Sequence, residues 1–273
     1  MMREPRSKQI AAHGGGADVN LVFASGFLIP QRILGVDYFS GLERHIRETS
    51  THTAIFPAVK PVASSDLRAR DLAAQIRAHF PDGPVHIIAH SMGGLDSRVM
   101  IGNGFEGLDA PGRIASLTTL STPHNGSPVA DLLVGDESAD LRRQWAEKIN
   151  VAISLLGIDT GALVDLTRDR ASKFPNIVAS HPHIRVRSHW ASGRDQGPPT
   201  SVLLLLTHGY IKLVKQQESD GLVTLDSARY GEFQQPNWPC DHADMVGHNL
   251  DPLFPPVLPH LAKYDAIIAQ LGS

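Results

Sequence analysis

Residues 85–94 read VHIIAHSMGG, and this stretch decides the fold. Residues 85–89 have the apolar and β-branched composition of a buried strand, and Ser91 follows directly, with Gly93 and Gly94 behind it. A strand that ends in a serine between small residues and leads into a helix is typical of a nucleophile elbow, a sharp turn that lifts the serine hydroxyl above the sheet. Ala89 and Gly93 would let the strand and the helix approach closely. A strand–turn–helix without chemistry has the same local pattern, so the rest of the chain must decide.

Strand and helix patterns alternate on both sides of this turn. Residues 66–80 predict an amphipathic helix, because Leu72, Ile76 and Phe80 recur every four residues on one face. The predicted strands are residues 19–24, 52–59, 85–89, 114–120 and 183–190. Alternation of this kind predicts an α/β fold with a doubly wound, mostly parallel sheet.

One segment interrupts the alternation. Residues from about 130 to 175 lie between two predicted strands and have helical patterns throughout, with an apolar stripe at Leu141, Trp145, Ile149, Ala152, Ile153 and Leu156. We predict a helical lid or cap over the site, although a core helix packed on the sheet would show the same stripe. Residues 1–18 are polar and glycine-rich and predict a flexible lead-in, so that residues 19–273 form the folded domain.

Composition excludes several classes of protein. The chain has 273 residues, 42% of them hydrophobic and 19% charged, with a formal net charge of -3. This charge argues against nucleic acid or an anionic membrane as a partner held by bulk electrostatics. Cys240 is the single cysteine, so neither an intrachain disulfide nor a cysteine-based zinc site can form.

The sequence as given shows neither the pattern of a signal peptide nor that of a membrane span. The first residues lack the apolar core of a signal peptide, and the longest apolar run, residues 202–206, is far shorter than a membrane span. We therefore expect no integral membrane segment and a cytoplasmic location, or secretion if a leader was removed. The sequence leaves the oligomeric state open.

A serine nucleophile needs a histidine base, and the histidine needs a carboxylate that orients it. In the predicted fold both partners follow the serine along the chain. His242 and His248 are the main candidates for the base among the downstream histidines His181, His183, His189, His208, His242, His248 and His260. For the carboxylate, Asp220 in an Asp-Gly turn stands out, with alternatives at Asp195, Asp226 and Asp241.

The oxyanion that forms during acyl transfer needs two backbone N–H donors. One is expected from Met92, the residue after the nucleophile. The other is expected from the loop after the first strand, where Gly26 permits close approach of the backbone and Phe27 would donate.

With these residues identified, the chain resembles the bacterial true lipases, the triacylglycerol lipases of the α/β-hydrolase fold. The resemblance runs from about residue 19 to residue 250, and Ser25 stands where that family has a histidine. The matching segments occur in the family's order and are residues 22–27, 35–39, 89–98, 122–127, 190–193, 219–223 and 241–244.

The resemblance implies a catalytic set of Ser91, Asp220 and His242. It also implies a structural calcium near the histidine, with Asp244 as one ligand, although calcium takes about six oxygen ligands and the sequence identifies no others. No cofactor is expected for the chemistry itself.

These observations predict a serine hydrolase that acts on lipid or small-molecule carboxylic esters with an apolar acyl chain. Two alternatives keep the same scaffold: a depolymerase for polyhydroxyalkanoate-type polyesters, and an acyltransferase. A third alternative is a non-catalytic α/β-hydrolase that binds a ligand, which the presence of all three catalytic residue types argues against.

Overall fold

The structure is a computed structural model that describes residues 18–27, 32–33, 36–61, 63–135, 140–155, 160–195, 197–249 and 258–271. The predicted lead-in of residues 1–18 lies outside these ranges except for its last residue. The predicted division into a lead-in and a folded domain stays a prediction.

A parallel sheet forms the centre of the molecule. The strands are β1 (Asn20–Ala24), β2 (Arg32–Ile33), β3 (Val36–Asp37), β4 (Thr53–Ile55), β5 (Val85–His90), β6 (Ile114–Leu120), β7 (Arg185–His189) and β8 (Glu232–Phe233). Over the described ranges, six of them pair in parallel in the order β4-β1-β5-β6-β7-β8, and β2 and β3 form a separate antiparallel pair. The doubly wound parallel sheet predicted from the sequence is therefore confirmed.

Helices connect the strands. They are α1 (Leu42–Thr49), α2 (Ser65–His79), α3 (Met92–Gly102), α4 (Pro128–Val134), α5 (Asp140–Leu155), α6 (Arg168–Ala171), α7 (Ile177–Ser180), α8 (Leu205–Tyr210), α9 (Leu225–Ala228) and α10 (His260–Ala269). Helix α8 continues into a π-helical turn, Ile211–Lys215. In the part of the chain that the structure describes, no helix has both the length and the apolar character needed to cross a membrane.

Both faces of the sheet are buried, which explains why β1 and β5 have nearly continuous apolar sequences. Along β1, Val22 and Ala24 belong to one apolar cluster with residues of α2 and α3. Leu21 and Phe23 belong to a second cluster with residues of α1 and α10. The predicted apolar face of α2 is confirmed, since Leu72 and Ile76 are buried in the first cluster.

The segment between β6 and β7 contains α4, α5, α6 and α7. Ile149 of α5 is buried in a cluster with residues of α4 and with Tyr210 and Ile211 of the α8 region, and Trp145 lies against Tyr210. The helix thus packs on other helices outside the sheet. The side chains of Leu141, Ala152, Ile153 and Leu156 lie outside the described residues. The role of this insertion as a lid stays a prediction.

Candidate active site

The predicted nucleophile elbow is present at the carboxyl end of β5. Ser91 has φ 55° and ψ -130°, a backbone conformation that non-glycine residues rarely adopt and that costs on the order of 1–3 kcal/mol. Two contacts to the neighbouring β6 segment hold it: the Ser91 N–H donates to Leu120 O at 2.9 Å, and Thr122 Oγ1 donates to Ser91 O at 2.8 Å. Strained residues held by well-formed bonds are common at functional sites.

Two glycines pack the elbow tightly against its neighbours. A Cβ on Gly93 would overlap the Ala24 carbonyl oxygen at the end of β1, so the predicted reason for a small residue there is confirmed. A Cβ on Gly26 would lie 2.7 Å from Ser91 Cβ and would overlap the Tyr38 hydroxyl. The turn that follows β1 is therefore in direct contact with Ser91, the predicted nucleophile.

His242 lies against His90, the residue before Ser91, and is bonded to Asp220. Its Nδ1 is 2.7 Å from Asp220 Oδ2, and its ring lies 4.5 Å, centroid to centroid, from the ring of His90, the residue before Ser91. Asp220 is fully buried, and its other carboxylate oxygen accepts the N–H groups of Leu222 and Val223 at 3.0 and 2.8 Å. The carboxylate is thus fixed by its own Asp-Gly turn and faces the imidazole.

The rival candidates are engaged elsewhere. His248 Nε2 bonds the backbone oxygen of Tyr38 at 2.7 Å. Asp241 accepts the backbone N–H groups of Ser201, Ala243 and Asp244. Asp195 is exposed, and Asp226 lies in the first turn of α9. Of all these candidates, Asp220 and His242 are bonded to each other, and His242 packs on the residue before Ser91.

The two expected oxyanion donors lie in one place. Phe27 and Met92 are both buried and share an apolar cluster with Ala130 of α4 and with Leu163 of the insertion. Gly26 precedes Phe27 and contacts Ser91, as described above. Assignment of the two N–H groups to the oxyanion stays a prediction.

Arg68 is a residue of this site that the sequence analysis missed. Its guanidinium donates to the carbonyl oxygens of Ser25 at 2.8 Å and Gly26 at 3.0 Å, and to Asp96 of α3 at 2.8 Å. The turn after β1 is thus held by a buried arginine. The available signal was its position: Arg68 lies four residues before Leu72, on the apolar face of α2, where an arginine needs buried partners.

His90 and Tyr38 form a second buried contact behind the elbow. The Tyr38 hydroxyl and His90 Nδ1 are 2.7 Å apart. Burial, together with the neighbouring His242, lowers the pKa of His90 well below its usual value, so His90 is neutral at neutral pH. A neutral ring at this position does not oppose the positive charge that His242 would take up during catalysis.

The donor set around Asp244 does not fit a calcium ion. Both carboxylate oxygens of Asp244 already accept from the Arg194 guanidinium, at 2.9 and 3.0 Å, and a guanidinium and a divalent cation repel each other. Within the described ranges, no group of three or more His, Cys, Asp or Glu side chains could hold a metal ion. Burial and the negative charge of Asp244 raise the pKa of the adjacent Asp241 carboxyl. Asp244 is thus in an ion pair with Arg194, an arrangement that does not fit its expected role as a calcium ligand.

The chain is similar to one described protein family and to several proteins named lipases. A family described as "PGAP1-like alpha/beta domain" matches residues 71–193, which include β5, the elbow, α3 and β6. The chain is 29% identical over 224 residues to triacylglycerol lipase 2 of Saccharomyces cerevisiae, a match that covers 78% of this chain and 63% of the yeast protein. It is 24% identical over 252 residues to a triacylglycerol lipase of Vibrio cholerae, a match that covers 83% of this chain and 78% of the Vibrio protein.

A solved structure shares the fold. The mature form of a Bacillus licheniformis lipase superposes with a TM-score of 0.68 at 18% identity, covering 95% of this chain and 94% of that one. At this identity the likeness concerns the fold alone, and it identifies the parallel sheet with its flanking helices as an α/β-hydrolase fold.

Proposed function

Because the chain has an α/β-hydrolase fold and is similar to proteins named lipases, we propose that it is a serine carboxylic-ester hydrolase that works through Ser91, His242 and Asp220. The observation that carries the proposal is the 2.7 Å contact between His242 and Asp220, formed where the His242 ring packs on His90, the residue before the serine of a strained elbow. The names of the relatives support the reaction class, and the geometry supports the assignment of residues.

The mechanism follows from the chemistry of these groups. Ser91 Oγ attacks the ester carbonyl carbon while His242 Nε2 accepts the serine proton. Asp220 holds the imidazole in the tautomer with the proton on Nδ1 and stabilises the imidazolium that forms. The N–H groups of Phe27 and Met92 stabilise the negative charge on the carbonyl oxygen. His242 then protonates the departing alcohol, and water, activated by the same histidine, releases the acid.

An apolar acyl chain is the substrate feature that the surroundings favour. Phe27 and Met92 pack with Ala130 and Leu163 in one apolar cluster, so the walls nearest the proposed oxyanion site are hydrophobic. Leu204 would lie 3.1 Å from a Cβ on Gly221, so its segment contacts the turn that carries Asp220. Val202 and Leu203 of the same segment expose 64% and 44% of their surface. Apolar groups of this kind bind hydrocarbon better than charged substrates.

The test is hydrolysis of p-nitrophenyl esters from acetate to palmitate by the wild-type protein and by Ser91→Ala. We expect Ser91→Ala to lower kcat by at least about 10³-fold and to abolish labelling by a fluorophosphonate, because the nucleophile is missing. Ser172→Ala removes an exposed serine hydroxyl in the same way and serves as the control, with activity unchanged. Full activity in Ser91→Ala would overturn the proposal.

The same assay separates the alternatives that share this scaffold. Formation of a new ester when an alcohol is added would indicate acyl transfer in place of hydrolysis. Release of soluble acids from a polyhydroxyalkanoate film would indicate a polyester substrate. Absence of both hydrolysis and fluorophosphonate labelling in the wild-type protein would favour a ligand-binding protein.

A further inference from the structure

The Arg194 guanidinium lies between two buried carboxylates. Its Nε and Nη2 donate to the two oxygens of Asp244 at 2.9 and 3.0 Å, and Nη2 is 3.4 Å from Asp241 Oδ2. The three side chains are 2%, 0% and 3% exposed for Arg194, Asp241 and Asp244. Charges this deeply buried interact strongly and are costly when one of them lacks its partner.

The two carboxylates organise the backbone of the loop that carries His242. Asp241 Oδ1 accepts the N–H groups of Ala243 and Asp244, both at 2.9 Å. Asp244 Oδ2 accepts the N–H of Asp241 at 3.0 Å. His242 lies between these two aspartates in the chain, so its position depends on a tight turn that concentrates two negative charges. A cation close to both carboxylates favours their charged forms.

The arginine is itself well anchored. It follows β7, and its backbone N–H donates to Pro199 O at 2.7 Å. The preceding Gly193 N–H donates to Cys240 O at 2.9 Å, which ties this segment to the residue before Asp241. Gly193 has φ +87°, a conformation that favours glycine, and a Cβ there would lie 2.9 Å from Pro199 O. The guanidinium is therefore presented to the loop by a fixed backbone.

We infer that Arg194 is a positioning residue: its guanidinium is a built-in cation that holds the 240–244 loop, and with it the His242 imidazole, in place against Asp220 without a bound metal ion. The inference rests on the proposed function, since His242 is the proposed base. It assigns to an arginine a task that a divalent cation could perform in the same place, with the two carboxylates as its ligands. A planar, bidentate guanidinium suits this task better than a lysine, which offers a single point of charge.

The first test compares Arg194→Met and Arg194→Lys with the wild-type protein. We expect Arg194→Met to lower kcat by at least about 10-fold with little change in KM, because His242 loses its alignment while the acyl site is unaltered. Arg194→Lys should retain more activity than Arg194→Met, because it keeps a positive charge. Arg168→Met removes an exposed arginine from its pair with Asp131 and is the matched control, with kcat unchanged. An unchanged kcat in Arg194→Met would overturn the inference.

A double variant tests whether charge compensation is the cause. Arg194→Met leaves the Asp244 carboxylate buried without its cation, so Asp244→Asn in the same chain should recover part of the lost kcat and of the lost melting temperature. Lower activity in the double variant than in Arg194→Met alone would contradict the role of charge.

Two readouts separate this inference from the proposed function. The melting temperature of the wild-type protein should be the same in EDTA and in millimolar CaCl2, and stabilisation by calcium alone would overturn the inference. The proton on His242 Nδ1 that bonds Asp220 gives a far-downfield ¹H NMR signal, which Arg194→Met should broaden or shift and Arg168→Met should leave unchanged. If the wild-type protein shows that signal but neither hydrolysis nor labelling at Ser91, the proposed function fails while the role of Arg194 stands.

Discussion

At the scale of single residues, the site depends on close contacts that a methyl group would disturb. Gly26 is the clearest case, because the turn that it belongs to lies between Ser91 and Tyr38. Its carbonyl oxygen also accepts from the buried Arg68, so the turn cannot move away without losing that bond. Gly26 thus links the proposed oxyanion donor Phe27 to the proposed nucleophile Ser91.

Gly26→Ala should lower kcat by on the order of 10²-fold, with a small effect on KM, because displacement of the turn moves the Phe27 N–H away from the oxyanion. The measurement is steady-state hydrolysis of a p-nitrophenyl ester, with the melting temperature recorded in parallel. Tyr38→Phe removes one of the two overlaps and also the hydroxyl that bonds His90, so it is measured alone as the reference for the double variant. Because the contact with Ser91 Cβ remains, the variant that combines both changes should stay impaired, and full recovery in it would contradict this explanation.

Residue-level prediction from sequence succeeded where the motif is local and was incomplete where the partners are distant. The elbow at Ser91 was visible because a strand, a serine and small residues are adjacent in the chain. Arg68 binds Asp96, 28 residues away, and Arg194 binds Asp244, 50 residues away. Hydrophobic periodicity relates residues within one helix or strand. It therefore cannot indicate contacts between residues this far apart in the chain. The expectation of calcium at Asp244 came from the family resemblance, and the sequence alone did not indicate Arg194 as the partner of Asp244.

At the scale of elements, strands in the middle of the sheet were predicted more accurately than those at its edge. The prediction for residues 114–120 matches β6 residue for residue, and β6 is hydrogen-bonded on both sides. The strand predicted at residues 52–59 is shorter in the structure, where β4 spans Thr53–Ile55 and pairs, in the described residues, with β1. An edge strand has one partner, and Pro57 follows β4 closely and cannot donate to a ladder. Two-residue strands such as β8 are too short to show the alternation of apolar and polar residues from which strands are predicted.

The helical insertion is expected to unfold separately from the sheet. Ile149 is buried against α4 and the α8 region. Ile87, by contrast, lies on β5 and is buried in the first apolar cluster, between the sheet and its helices. Truncation to alanine at either site should cost about 2–5 kcal/mol of local packing. Ile87→Ala should lower the global melting temperature, and Ile149→Ala should mainly speed amide exchange in residues 140–155 and 205–215. Equal losses of global stability would indicate that the insertion and the sheet unfold together.

At the scale of the whole molecule, stability should depend on pH through buried histidines. Burial, and the positive charges of Arg187 and Lys263, lower the pKa of His189 from 6.5 to about 4. Between these values the unfolded chain binds a proton that the folded protein does not, so stability is full above pH 6.5 and is lost as the pH falls toward 4. The slope from one such histidine is at most about 1.4 kcal/mol per pH unit.

His189→Gln should flatten that slope, because glutamine does not titrate. The measurement is urea unfolding at a series of pH values, with His183→Gln as the control at an exposed histidine. His90 and His124 also have pKa values lowered by burial, so part of the acid sensitivity should persist in the variant. An identical slope in wild type and His189→Gln would show that His189 is not protonated on unfolding in this range.

The burial of Cys240 has a practical consequence for measuring motion. It is the single cysteine of the chain and has no exposed surface, and burial raises the pKa of its thiol. The thiolate is the form of cysteine that attacks a maleimide, so the native protein should be almost inert toward maleimides. A cysteine introduced at Val151 on α5, which is 63% exposed, would then be labelled alone. A fluorophore or spin label attached there would report directly whether the insertion opens when an ester is bound.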